Sequence, residues 1–130
     1  MGYTHYWRSQ KRFTDNEWNT LREKVKKVLD AYGELVTPPL VDSEVIRFNG
    51  IGDDGHETFL LTKQFQDFEF CKTRQKPYDL VVCLVLLAVD EFTPGVLHIS
   101  SDGVPEDWQC SLDEFNKLFN KKDMPSWIES

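Results

Sequence analysis

With 130 residues, 40% of them hydrophobic and 28% charged, the chain is long enough to bury a core without disulfide or metal staples. Its formal net charge of −7 disfavours general binding to phosphate backbones or anionic membrane surfaces, leaving a basic partner or plain solubility as what the charge serves. Three cysteines, at 71, 83 and 110, form neither an even set nor a CxxC, which points to a reducing cytoplasmic setting and away from a disulfide framework. The opening MGYTHYWRS lacks the basic-then-apolar order of a secretory signal, and the residues behind Met1-Gly2 do not suit acylation. The most apolar stretch, LVVCLVLLAV at 80–89, is too short to cross a bilayer.

Taken in order, YTHYWRS at 3–9 is aromatic and β-favouring and predicts a first strand. Alternation puts Tyr3, His5 and Trp7 on one face and Thr4, Tyr6 and Arg8 on the other. Aromatic residues on both faces suit an interior strand. A helix follows, opened by a capping box of Thr14 and Glu17, with Phe13 placed to staple onto Trp18. Trp18, Leu21, Val25, Val28, Leu29 and Tyr32 form its apolar stripe, and Gly33 is its expected C′ residue. Lys24, Lys26 and Lys27 fall off that stripe and read as a wetted flank.

Residues 34–43, with Pro38-Pro39, read as a loop. From Glu44 the period becomes two, with Ile46 and Phe48 on one face. Beyond the turn material 49–55, ETFLLT repeats the pattern through Phe59 and Leu61, which predicts an antiparallel hairpin with a long glycine-punctuated loop. FEFCKT at 68–73 is a further strand, with Phe68 and Phe70 opposite Glu69, Cys71 and Thr73. Pro77 opens a helix expected to run from Tyr78 to about Phe92. A buried strand competes for the valine-rich run 80–89, but its length favours a central helix that is apolar almost all round. VLHISS makes a last strand with Leu97 and Ile99 inward. Ser111 with Glu114 then reads as a second capping box, for a short helix burying Phe115, Leu118 and Phe119. Trp127 and Ile128 anchor a polar tail. The sum is an α+β single compact domain, three helices on a mostly antiparallel sheet of about five strands, in the order β-α-β-β-β-α-β-α.

The segments GYTHYW (2–7), RFNG-x-GDDGHETF (47–59), FCKTRQKPYD (70–79) and SSDG (100–103) resemble, in order and over nearly the full length, an uncharacterised family of small bacterial and phage proteins. The resemblance marks the loop 49–56 and the junction 71–79 as signature features and brings no activity with it.

The densest polar cluster surrounds Asp53, Asp54 and His56. Carboxylates and imidazole could hold a divalent cation, the one cofactor these residues suggest, yet the spacing is neither an EF-hand nor a zinc signature. Turn formation explains the same residues. Lys72, Arg74 and Lys76 alternate along an extended segment and, with Tyr78 and the helix start behind them, form a candidate anion- or partner-binding seat; solvated strand-end cations are the plainer reading. Cys71 carries no Cys-His signature toward His5, His56 or His98, and Cys83 reads as core. The expectation for function is a small acidic protein-binding module, with the phage setting resting on the resemblance alone and suggesting an inhibitor or modulator of a host or defence protein. A second copy of the chain is also a candidate partner. The alternative is a metal-assisted hydrolase or nucleotide-handling enzyme built on Asp53, Asp54 and His56.

Overall fold

The computed structural model describes residues 3–128; Met1-Gly2 and the last two residues of the polar tail lie outside them. Its elements are β1 (Thr4–Ser9), α1 (Asp15–Tyr32), β2 (Leu40–Val41), β3 (Val45–Phe48), β4 (Phe59–Thr62), β5 (Glu69–Lys72), α2 (Asp79–Phe92), β6 (Leu97–Ser101) and α3 (Pro105–Leu118). The class is α+β with three helices and antiparallel pairing throughout. The strands do not share one sheet: β5-β1-β6 form one and β2-β3-β4 another. The added strand β2 falls in the expected loop. The diproline ends just before it, and Leu40 and Val41 are free to pair with Arg47 and Ile46.

The first strand is interior, flanked by β5 and β6. Trp7 turns inward and lies 5.1 Å from Phe59, which in turn stacks on Phe48 at 5.0 Å, so aromatic rings join the two sheets. In α1 both halves of the capping box form, and Phe13 meets Trp18 edge-on at 5.0 Å. Gly33 is not a left-handed cap; at φ −61° it carries the chain into a 3-10 turn, Gly33–Leu35. Two of the flanking lysines do more than meet water, since Lys24 lies over the Phe92 ring and Lys27 over Phe119.

The run expected at the centre is there and is helical. Every residue from Val81 to Val89 is buried, with α1 and α3 packed along α2. A helix with no polar stripe must be covered on all sides, and this one is. Pro77 lies in the turn before the cap, Tyr78 caps, and Asp79 is the first helical residue.

The last helix starts six residues earlier than Ser111. Pro105 presets the backbone of the first turn, and the Asp107 carboxylate accepts the Val104 N–H at 3.0 Å. Ser111 and Glu114 therefore sit inside the helix: Ser111 is buried, and Glu114 accepts from the Tyr32 hydroxyl. Among the described residues no helix is long and apolar enough to cross a membrane.

Candidate functional site

The GDDGHE loop is organised from its first residue. The Asn49 side-chain carbonyl accepts the N–H groups of Gly50 (2.7 Å) and His56 (3.1 Å), while its amide donates to the His56 carbonyl at 2.9 Å. Between these anchors Gly52–Asp54 form a 3-10 turn, with Gly52 at φ +53°. Gly50 and Gly55 cross so closely that a Cβ on Gly50 would meet the Asp54 carbonyl at 2.5 Å. Asp53, Asp54 and His56 all point to solvent. They do not form a group of converging ligand atoms; the turn is held by the Asn49 side chain and by backbone bonds, which leave these three side chains outside.

The basic alternation also ends sooner than the expectation required. The strand stops at Lys72, and Arg74 and Gln75 take left-handed conformations at φ 52° and 55°, so Lys72, Arg74 and Lys76 do not share a face. Tyr78 is fully buried and donates its hydroxyl to the Glu57 carbonyl at 2.5 Å, which removes it from any surface seat. Glu57 ties the two motif segments together: its carboxylate accepts the Lys72 N–H at 2.8 Å, and its N–H donates to the Lys72 carbonyl at 3.2 Å. The Cys71 thiol donates to the same Glu57 carbonyl at 3.4 Å, and burial pushes its pKa up to about 12. It is a packed thiol, not a nucleophile.

A different cluster forms where β1 meets the start of α2. His5 is completely buried, with Nδ1 2.8 Å from Ser101 Oγ and Nε2 2.7 Å from Asp79 Oδ1. Ser101 Oγ already accepts the N–H of Gly103 (2.9 Å) and of the Trp108 indole (3.3 Å), so its own proton is left for His5 Nδ1. The ring proton therefore resides on Nε2 and is donated to Asp79. Asp79 also accepts from Thr73 Oγ1 at 2.6 Å and from the Cys83 thiol at 3.5 Å. Burial and the Asp79 charge hold the Cys83 thiol well above its ordinary range. Burial and the same carboxylate raise the pKa of Tyr3, whose ring meets His5 edge-on. Asp79, its side chain 17% exposed, opens this network to a pocket of about 270 Å³ lined also by Lys76, Leu80, Asp107, Cys110 and Ser111.

The second notable surface is the outer face of the β5-β1-β6 sheet. Phe68 and Phe70 are 56% and 51% exposed, and Phe68 lies between Tyr6 (6.1 Å, stacked) and Phe70 (6.2 Å). Register places Tyr6 beside Phe70 and Ser100, Thr4 beside Lys72, and Arg8 beside His98. The outward strand positions are thus aromatic, basic or neutral, with no carboxylate among them. Asp102, just beyond β6, is engaged by the Thr4 N–H at 3.0 Å and the Tyr6 hydroxyl at 3.2 Å.

No family model matches the chain, and neither curated proteins nor solved structures give a match. Sequence reasoning placed Cys83 in the core and His5 on one strand face with Tyr3 and Trp7, but paired neither with Asp79. The 79/83 spacing on one helix face was a readable signal, whereas the arrival of His5 from β1 depends on tertiary packing.

Proposed function

We propose that the chain is a small protein-binding module that uses the outer β5-β1-β6 face to hold an acidic segment of another protein. The observation that carries this reading is the exposed Tyr6–Phe68–Phe70 row. Large aromatic side chains half open to water on a flat sheet are costly unless a partner covers them. Aromatic residues flanked by cations are also the groups that dominate binding energy at interfaces. The charge around the row gives the partner's sign: Arg8 and Lys72 stand at outward positions of a chain whose net charge is −7. Such a face attracts carboxylates flanking an apolar or aromatic side chain. The motif resemblance adds a phage-type setting, in which the module modulates a host or defence protein in the cytoplasm. The metal-assisted hydrolase has no comparable support, because Asp53, Asp54 and His56 meet in no cleft.

Peptide display against the immobilised protein tests this. Enriched sequences should combine Asp or Glu with Phe, Trp or Leu, and should lose at least about tenfold in affinity, ~1.4 kcal/mol, for Phe70→Ser and for Arg8→Glu. Peptides that are neutral or basic, or that bind the Phe70→Ser protein as well as wild type, would overturn the proposal. So would a preference for single-stranded oligonucleotides, whose bases stack on the same kind of platform.

A further inference from the structure

We propose that His5 Nε2, Cys83 Sγ and the Asp79 carboxylate form a binding site for a zinc-class divalent cation. This is independent of the sheet-face reading. Among the described residues these three make the one group whose candidate ligand atoms all lie within 4.8 Å of one another. Their chemistry suits a borderline metal: imidazole, thiolate and carboxylate are the usual zinc donors, and hard cations such as Mg²⁺ would not choose a thiolate.

The separations from the sulfur to the other two donors fit as well. Zinc bonds of about 2.0–2.3 Å in tetrahedral geometry put N···S and O···S separations near ~3.5 Å. The observed distances are 3.6 Å for His5 Nε2 to Cys83 Sγ and 3.5 Å for Cys83 Sγ to Asp79 Oδ2. His5 Nε2 meets the other carboxylate oxygen, Oδ1, in a 2.7 Å hydrogen bond, which opens by roughly half an ångström when a cation replaces the shared proton.

Supporting contacts are in place. A ligating histidine is held through its other nitrogen, and His5 Nδ1 has Ser101 Oγ at 2.8 Å; Thr73 Oγ1 fixes the carboxylate at 2.6 Å. Helix geometry brings Asp79 and Cys83, four residues apart on α2, to one face, and β1 delivers His5 opposite them. On binding, Cys83 loses its proton to solvent and the His5 proton moves to Nδ1; Ser101 Oγ then accepts it by giving up the longer of the two N–H bonds it already accepts, that of the Trp108 indole at 3.3 Å. Three protein ligands leave a fourth position, and the pocket beyond Asp79 supplies it with water or a small anion.

Cobalt(II) titration of the whole chain, followed by absorption, is the test. A thiolate-to-cobalt charge-transfer band should appear at one equivalent and vanish when Zn²⁺ is added in competition. It should persist in Cys110→Ser, which removes the exposed thiol, and be lost in Cys83→Ala. Ser101→Ala should weaken affinity about 10- to 100-fold while keeping the band. No band in the folded wild-type protein, or a band that disappears with Cys110→Ser, would overturn the proposal. If Cys83→Ala does not fold, Asp79→Asn decides: an affinity unchanged from wild type would overturn the site, and a loss of tenfold or more supports it.

Discussion

Leu84→Ala tests what holds the fold together. Leu84 has no exposed surface and lies at the middle of the buried stretch Val81–Val89, so the substitution removes side-chain carbons that water never reaches. Their lost transfer energy is ~2 kcal/mol at about 0.8 kcal/mol per methylene. A cavity adds to this, because α1 and α3 press on α2 and cannot both follow the missing side chain. The total expected is about 2–5 kcal/mol. In equilibrium urea unfolding, with a slope of about 1–3 kcal/mol/M, a loss of ~3 kcal/mol moves the midpoint down by roughly 1–3 M at unchanged slope. Leu87→Ala should behave alike, while Leu60→Ala, at a 37% exposed position, should stay within about 0.5 kcal/mol. Midpoints for both α2 variants within error of wild type would refute the central role of this helix.

Asp79→Ala should cost about 1–3 kcal/mol for each donor it orphans, His5 Nε2–H and the Thr73 hydroxyl, measured by the same unfolding curves. Gly50→Ala should destabilise by about 1–3 kcal/mol, since its Cβ would lie 2.5 Å from the Asp54 carbonyl, whereas Gly33→Ala, with open space around it, should not. Alkaline pH should weaken the fold. The folded Cys71 thiol keeps its proton to about 12, while the unfolded thiol releases it near its ordinary value of 9.0. The unfolded state therefore binds fewer protons across that window, and stability falls as pH rises from about 9 toward 12. Cys71→Ser should show a shallower decline in a pH series of urea midpoints.

Local signals were legible where they rest on sequence-near chemistry. The capping box of Thr14 and Glu17, the hairpin pattern of Ile46, Phe48, Phe59 and Leu61, and the all-round apolar helix 79–92 follow from spacing and terminators. The second helix-start signature misled because Ser-x-x-Glu also occurs inside helices; Pro105 with Asp107 was the stronger start. The division into two sheets was hidden, since pairing order depends on which strand edges meet in space, and a two-residue strand leaves almost no pattern. The alternation behind the expected anion seat breaks at one residue. Arg74 turns left-handed, and alternation carries no information past that point. The exposed phenylalanines could be assigned to a common face, but only the packed sheet shows that this face is the open one.

Amide chemical-shift mapping by NMR with a display-selected acidic peptide addresses the proposed binding face most directly. The account predicts saturable shifts centred on Thr4–Arg8, Phe68–Lys72 and His98–Ser100, abolished in Phe70→Ser and weakened by added salt as charge contacts at Arg8 and Lys72 are screened. Shifts confined to the 49–57 loop, to the pocket beside Asp79 or to the outer surface of α1 would contradict it.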